Sequence, residues 1–68
     1  MKTVYPNLGI ELEKIGVTVA ILAEKLNISE FSVLEKLRGE SEWTFVEVLR
    51  ICKMVKNSDI GYLFCTNR

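Results

Sequence analysis

The chain has 68 residues, nine Lys+Arg balanced by nine Asp+Glu, no histidine, and 49% apolar residues. That length suits one domain, residues 1–68, burying only ~60% of the surface its unfolded form exposes, and the apolar share excludes a disordered tail. Zero net charge removes the general electrostatic attraction of basic proteins for nucleic acid or acidic membranes.

Apolar residues recur at helical spacing through nearly the whole chain, and no stretch alternates apolar and polar residues for long. The expected fold class is therefore all-α, with five short helices. The first starts near Pro6, a residue suited to a first helical turn, and stops before Gly16. Leu8, Leu12 and Ile15 at i, i+4 and i+7 form its predicted core stripe. Thr18 caps a second helix through Leu26, with Leu22, Ala23 and Leu26 inward. Asn27 suits a left-handed helix exit, Ile28 plugs the core, and Ser29 caps a third helix to about Arg38. Gly39 stops it.

Thr44 and Glu47 spell a capping box at the start of the fourth helix. Phe45, Val48, Leu49, Ile51, Cys52 and Val55 make that helix apolar over more than half its circumference, so it is expected to be central and most buried. Asn57-Ser58-Asp59 ends it and caps a short last helix to about Phe64, after which Cys65 to Arg68 are expected to fray.

The composition argues against catalysis. Without histidine there is no Cys–His or Ser–His–Asp arrangement, and two cysteines cannot make a zinc site alone. Cys52 and Cys65 are read as reduced, small apolar fillers, and the protein as cytoplasmic, with no signal peptide. The longest low-polarity stretch, Gly16 to Ala23, is far shorter than the roughly 20 residues of a membrane span. No cofactor or metal is expected.

Residues 18–38 carry the functional signal. Two short helices joined by three residues, with small Ala23 at the crossing and Leu22, Leu26, Ile28, Val33 and Leu37 locking it, read as a helix-turn-helix. With Tyr5-Pro6-Asn7-Leu8, Ile28-Ser29, Lys36-Leu37-x-Gly39, Ser41-Glu42-Trp43-Thr44 and Ser58-x-x-x-Tyr62-Leu63-Phe64, nearly the whole chain resembles one family. It is similar to the phage lambda repressor/Cro-type helix-turn-helix regulators, especially small phage-related members of Gram-positive bacteria.

The resemblance implies a lambda repressor-like DNA-binding domain formed around helices 2 and 3. It also implies sequence-specific transcription regulation, as a repressor binding double-stranded operator DNA as a homodimer. By position, Val19 and Ala20 would offer backbone amides to a phosphate. Ser29, Glu30, Phe31, Ser32, Leu34 and Glu35 would face the major groove from a recognition helix at about 29–38. Arg38, Ser41 and Thr44 would touch flanking phosphates, and Lys25 and Lys36 would add positive charge.

The recognition helix departs from the family pattern. Val19 stands where Gln is common, Glu30 and Glu35 would repel phosphates, and Phe31 offers bases only contact with a thymine methyl. Residues 1–42 hold five basic and seven acidic groups, whereas residues 43–68 hold four basic and two acidic. The basic excess therefore lies outside the helix-turn-helix half. An alternative reading follows: a protein-interaction module using Phe31 and Leu34 to bind a protein partner. Trp43 is read as a core or loop anchor, and Arg50, Lys53 and Lys56 as a solvated strip on the fourth helix.

Overall fold

A computed structural model describes residues 1–67. It is all-helical: α1 (Pro6–Lys14), α2 (Val19–Leu26), α3 (Glu30–Leu37), α4 (Phe45–Val55) and α5 (Ile60–Leu63), with no strand among the described residues.

The boundaries follow local chemistry. Pro6 opens α1 without losing a hydrogen bond, because first-turn amides have no helical acceptor. Thr18, Ser29 and Asp59 each accept an amide of the following helix, from Ile21, Ser32 and Tyr62 respectively. The capping box is complete: Thr44 Oγ1 accepts from Glu47 N–H while Glu47 Oε1 accepts from Thr44 N–H. Asn27 ends α2 in the left-handed region at φ 58°, and Gly39 follows α3 at φ 77°.

These helices enclose one apolar cluster. Leu8 and Leu12 of α1 meet Leu22 and Leu26 of α2, Val33 and Leu37 of α3, Ile51 and Val55 of α4, and Leu63 of α5. The described residues span 25 × 25 × 22 Å, which leaves room for a single buried layer between helices. Tyr5, Trp43 and Phe64 close one edge as three edge-on aromatic rings, with centroids 5.8 to 6.4 Å apart. Trp43 is thus an anchor, half-buried against the core.

Four expectations need correction. Ile15 lies past the end of α1, on the C-cap, and is exposed rather than part of the core stripe. Helix α4 is not the most buried: Ile51, Cys52 and Val55 face inward, but Phe45 and Leu49 face solvent. An apolar arc wider than half a helix exceeds what its neighbours cover. Cys52 is buried as a filler, whereas Cys65 is exposed. The tail is also held rather than frayed: Asn67 N–H donates to the Val4 carbonyl (3.1 Å), and Val4 N–H donates to the Leu37 carbonyl (2.9 Å). Arg68, the last residue of that expected frayed tail, lies outside the described residues.

Candidate nucleic-acid interface

Helices α2 and α3 pack as a pair, joined only by Asn27, Ile28 and Ser29. Left-handed Asn27 reverses the chain, and Ile28 N–H donates to the Ala23 carbonyl (3.1 Å), pinning the turn to buried Ala23. A larger residue than Ala23 would push the helices apart. Three residues, two caps and one small contact thus determine how α3 is presented.

At the α2 N-terminus, Thr18 receives the Ile21 amide on its hydroxyl and the Leu22 amide on its carbonyl. The Val19 and Ala20 amides are the remaining first-turn donors, where the helix dipole favours an anion. Ala20 is exposed, while the Val19 side chain is half-buried in a shallow cleft shared with Leu34. The cleft therefore brings two of the sequence-predicted contact residues together, one from each helix.

Helix α3 buries Val33, Lys36 and Leu37, which turns Glu30, Phe31, Leu34 and Arg38 toward solvent. Phe31 is 65% exposed, so it is not packed against a neighbouring helix. Glu30 sits in the first turn of α3, where the dipole stabilises a carboxylate. Ser29 and Ser32 are occupied with each other: Ser29 Oγ donates to Ser32 Oγ (3.0 Å) and accepts from Ser32 N–H (3.1 Å). Ser32 and Glu35 are half-buried, so their side chains present less surface than a helical wheel suggests.

The flanking residues divide. Exposed Arg38 is held by Glu40 through Nε (3.1 Å), an arrangement a phosphate can replace at small cost because exposed ion pairs are weak. Ser41 is half-buried in the loop after α3, and Thr44 is exposed. The Thr44 hydroxyl accepts the Glu47 amide as a cap, leaving its own proton to donate.

Lys36 does not belong to this surface. Its ammonium is buried in an ion pair with Glu47, 5.9 Å from the centroid of the Trp43 ring, and so is withdrawn from any phosphate. Burial pushes the Glu47 carboxyl upward, but hydrogen bonds from Lys36 and Thr44 outweigh it and hold the group below its ordinary value. Lys25 remains exposed near the end of α2. Sequence reasoning assigned Lys36 by its charge; its partner, eleven residues on, is visible only in three dimensions.

No family model, curated protein or solved structure matches the chain. Among the described residues, no helix is long and apolar enough to cross a membrane.

Proposed function

We propose that the chain is a sequence-specific DNA-binding regulator of the helix-turn-helix type, similar to the lambda repressor/Cro regulators. In this reading α2 abuts the phosphate backbone, α3 enters the major groove, and the protein represses transcription by occupying an operator as a homodimer. The observation that supports it most is the α2–α3 pair. Its three-residue connection, left-handed Asn27 and capped α3 with a solvent-facing side are what this mode of docking needs.

Affinity in this reading comes from the Val19 and Ala20 amides with Lys25 and Arg38, because Lys36 is committed to Glu47. Few phosphates are then neutralised, and each contributes only about −0.9 to the slope of log K against log salt. Binding is selective rather than broadly electrostatic. Fluorescence anisotropy with mixed genomic duplex at about 50 mM salt tests this, since nonspecific attraction is strongest at low salt. Absence of binding there refutes the reading. Selection of bound fragments then tests for a palindrome, which reports two-fold binding.

A second reading rests on the exposure of Phe31 beside Leu34, both rimmed by Glu30 and Glu35. Such a patch suits a protein partner better than a phosphate-lined groove. Phe31→Ser with Leu34→Ser separates the two readings. Loss of operator selectivity supports groove contact, whereas retained DNA affinity with loss of a partner supports the interaction module.

A further inference from the structure

The solvent side of α3 carries an apolar patch set in negative charge. Phe31 and Leu34, 65% and 37% exposed, stand at i and i+3 and so share one side of the helix. Leu34 also lines a cleft of about 330 Å³ with Val17, Val19 and Leu37, whose charged members are Lys2 and the Met1–Glu13 ion pair.

Ion pairing decides what charge the helix pair has left to offer. Within residues 18–38, Lys36 is buried against Glu47, and Arg38, one turn after Leu34, is held by Glu40. Glu24, Lys25, Glu30 and Glu35 have no ion-pair partner among the described residues. That leaves three carboxylates against one ammonium. Exposed Glu30 and half-buried Glu35 stand one residue before Phe31 and one turn after it.

Building on the interaction-module reading above, we infer that this side of α3 docks a cationic segment of another protein. An apolar side chain of that segment sits on Phe31 and Leu34, while Lys or Arg on either side of it reaches Glu30 and Glu35. Charge complementarity favours this occupant. A neutral or acidic segment would cover both carboxylates without a counter-charge, and α3 of a second copy would bring the same two carboxylates against them. An arginine can also lay its guanidinium on the Phe31 ring. Helix α3 has eight residues and is about 12 Å long, so the contact is at the small end of specific interfaces.

Selection of displayed random peptides of about 16 residues, enough to run the length of α3, on the immobilised full chain tests the inference. The enriched sequences should combine an apolar or aromatic residue with an excess of Lys and Arg. By fluorescence anisotropy, a synthetic peptide from that set should bind Phe31→Ser about tenfold or more weakly, and likewise the variant combining Glu30→Gln with Glu35→Gln. These side chains lie outside the core, so circular dichroism should show unchanged helical content. Selection repeated on Glu30→Lys with Glu35→Lys should turn to acidic sequences. Enriched sequences that are lost on Phe31→Ser but carry no excess of cations overturn the inference and leave the interaction-module reading standing. Enrichment indifferent to Phe31→Ser, or none at all, overturns both; with duplex still bound, it assigns this side of α3 to nucleic acid alone.

Discussion

Lys36 of α3 and Glu47 of α4 form an ion pair across the helix junction, with side chains only 10% and 8% exposed. Glu47 serves twice, because the same Oε1 that meets Lys36 also accepts the Thr44 amide of the capping box. The pair therefore couples the start of α4 to the end of α3. Truncating one partner leaves the other charge buried and unmatched, at a cost of about 3–5 kcal/mol. A 68-residue domain has only ~3–10 kcal/mol of total stability, so this is a large share. Urea melts of Lys36→Ala, Glu47→Ala and the double variant should give a double-mutant loss well below the sum of the singles. Additive losses would mean that the two side chains act separately.

The same pair makes stability depend on pH. Glu47 is held below its ordinary value of 4.5, and a carboxyl depressed on folding stabilises the native state above that value. Its contribution is lost as pH falls below 4.5 and through the lowered folded value. Thermal melts between pH 7 and pH 3 should show that decline, and Glu47→Gln should reduce the slope while lowering stability at pH 7. An unchanged slope in Glu47→Gln would assign acid sensitivity to other carboxylates.

Among the described residues, two that are not glycine occupy the left-handed region after helices, Asn27 at φ 58° and Lys56 at φ 55°. Asn tolerates this conformation, whereas for most L-residues it costs roughly 1–2 kcal/mol. Lys56→Gly relieves that cost and gives back part of it as unfolded-chain entropy, for a net gain of about 0.5–1 kcal/mol. The melting temperature should rise by a few degrees, while Asn27→Gly should change it little. A fall in Lys56→Gly would show that the lysine stem contributes more packing than its conformation costs.

Trp43 carries a buried indole N–H with no hydrogen-bond partner among the described residues. Trp43→Phe keeps an aromatic ring against Tyr5 and Phe64 while removing that unsatisfied donor, so its cost should stay below about 1.5 kcal/mol. Trp43→Ala, which opens the aromatic edge, should cost about 3 kcal/mol. Denaturant unfolding followed by circular dichroism compares the two. Equal losses would place the energetic value in the part of the indole that phenylalanine lacks.

If α3 reads DNA, the cations that support it are distinguishable by salt. Lys25→Ala and Arg38→Ala should each reduce the salt slope of binding by about 1. Lys36→Met, provided it stays folded, should leave the slope unchanged because Glu47 already neutralises that ammonium. A reduced slope in Lys36→Met would mean the pair opens on DNA.

What was legible in the sequence was punctuation. Pro6, Thr18, Asn27, Ser29, Gly39, Asp59 and the Thr44–Glu47 box act on backbone groups within a few residues, and each helix begins or ends beside them. The apolar positions Leu8, Leu12, Leu22, Leu26, Val33 and Leu37 were legible for a related reason: helical periodicity puts them on one face whatever lies opposite. The candidate interface was readable to the same depth, since Glu30, Phe31, Leu34 and Arg38 are the residues that remain once Val33 and Leu37 turn inward.

Tertiary structure decided everything that depended on a distant partner. Helix α4 looked central because its apolar arc is wide, yet only packing determines which part of an arc is covered, and Phe45, Val46 and Leu49 were left uncovered. Lys36 looked like a phosphate ligand until Glu47 claimed it, and residues 65–67 looked loose until Asn67 bonded to Val4. Zero net charge, at first an argument against nucleic acid, takes on a more local meaning through those contacts. Lys36, a cation of the acidic half, is buried against Glu47, while exposed Arg50 and Lys53 lie along α4 and exposed Lys56 caps its end. Local chemistry set the helices and their inward faces. Long-range packing set which charges and which apolar side chains remain for a partner, because those depend on residues far away in the chain.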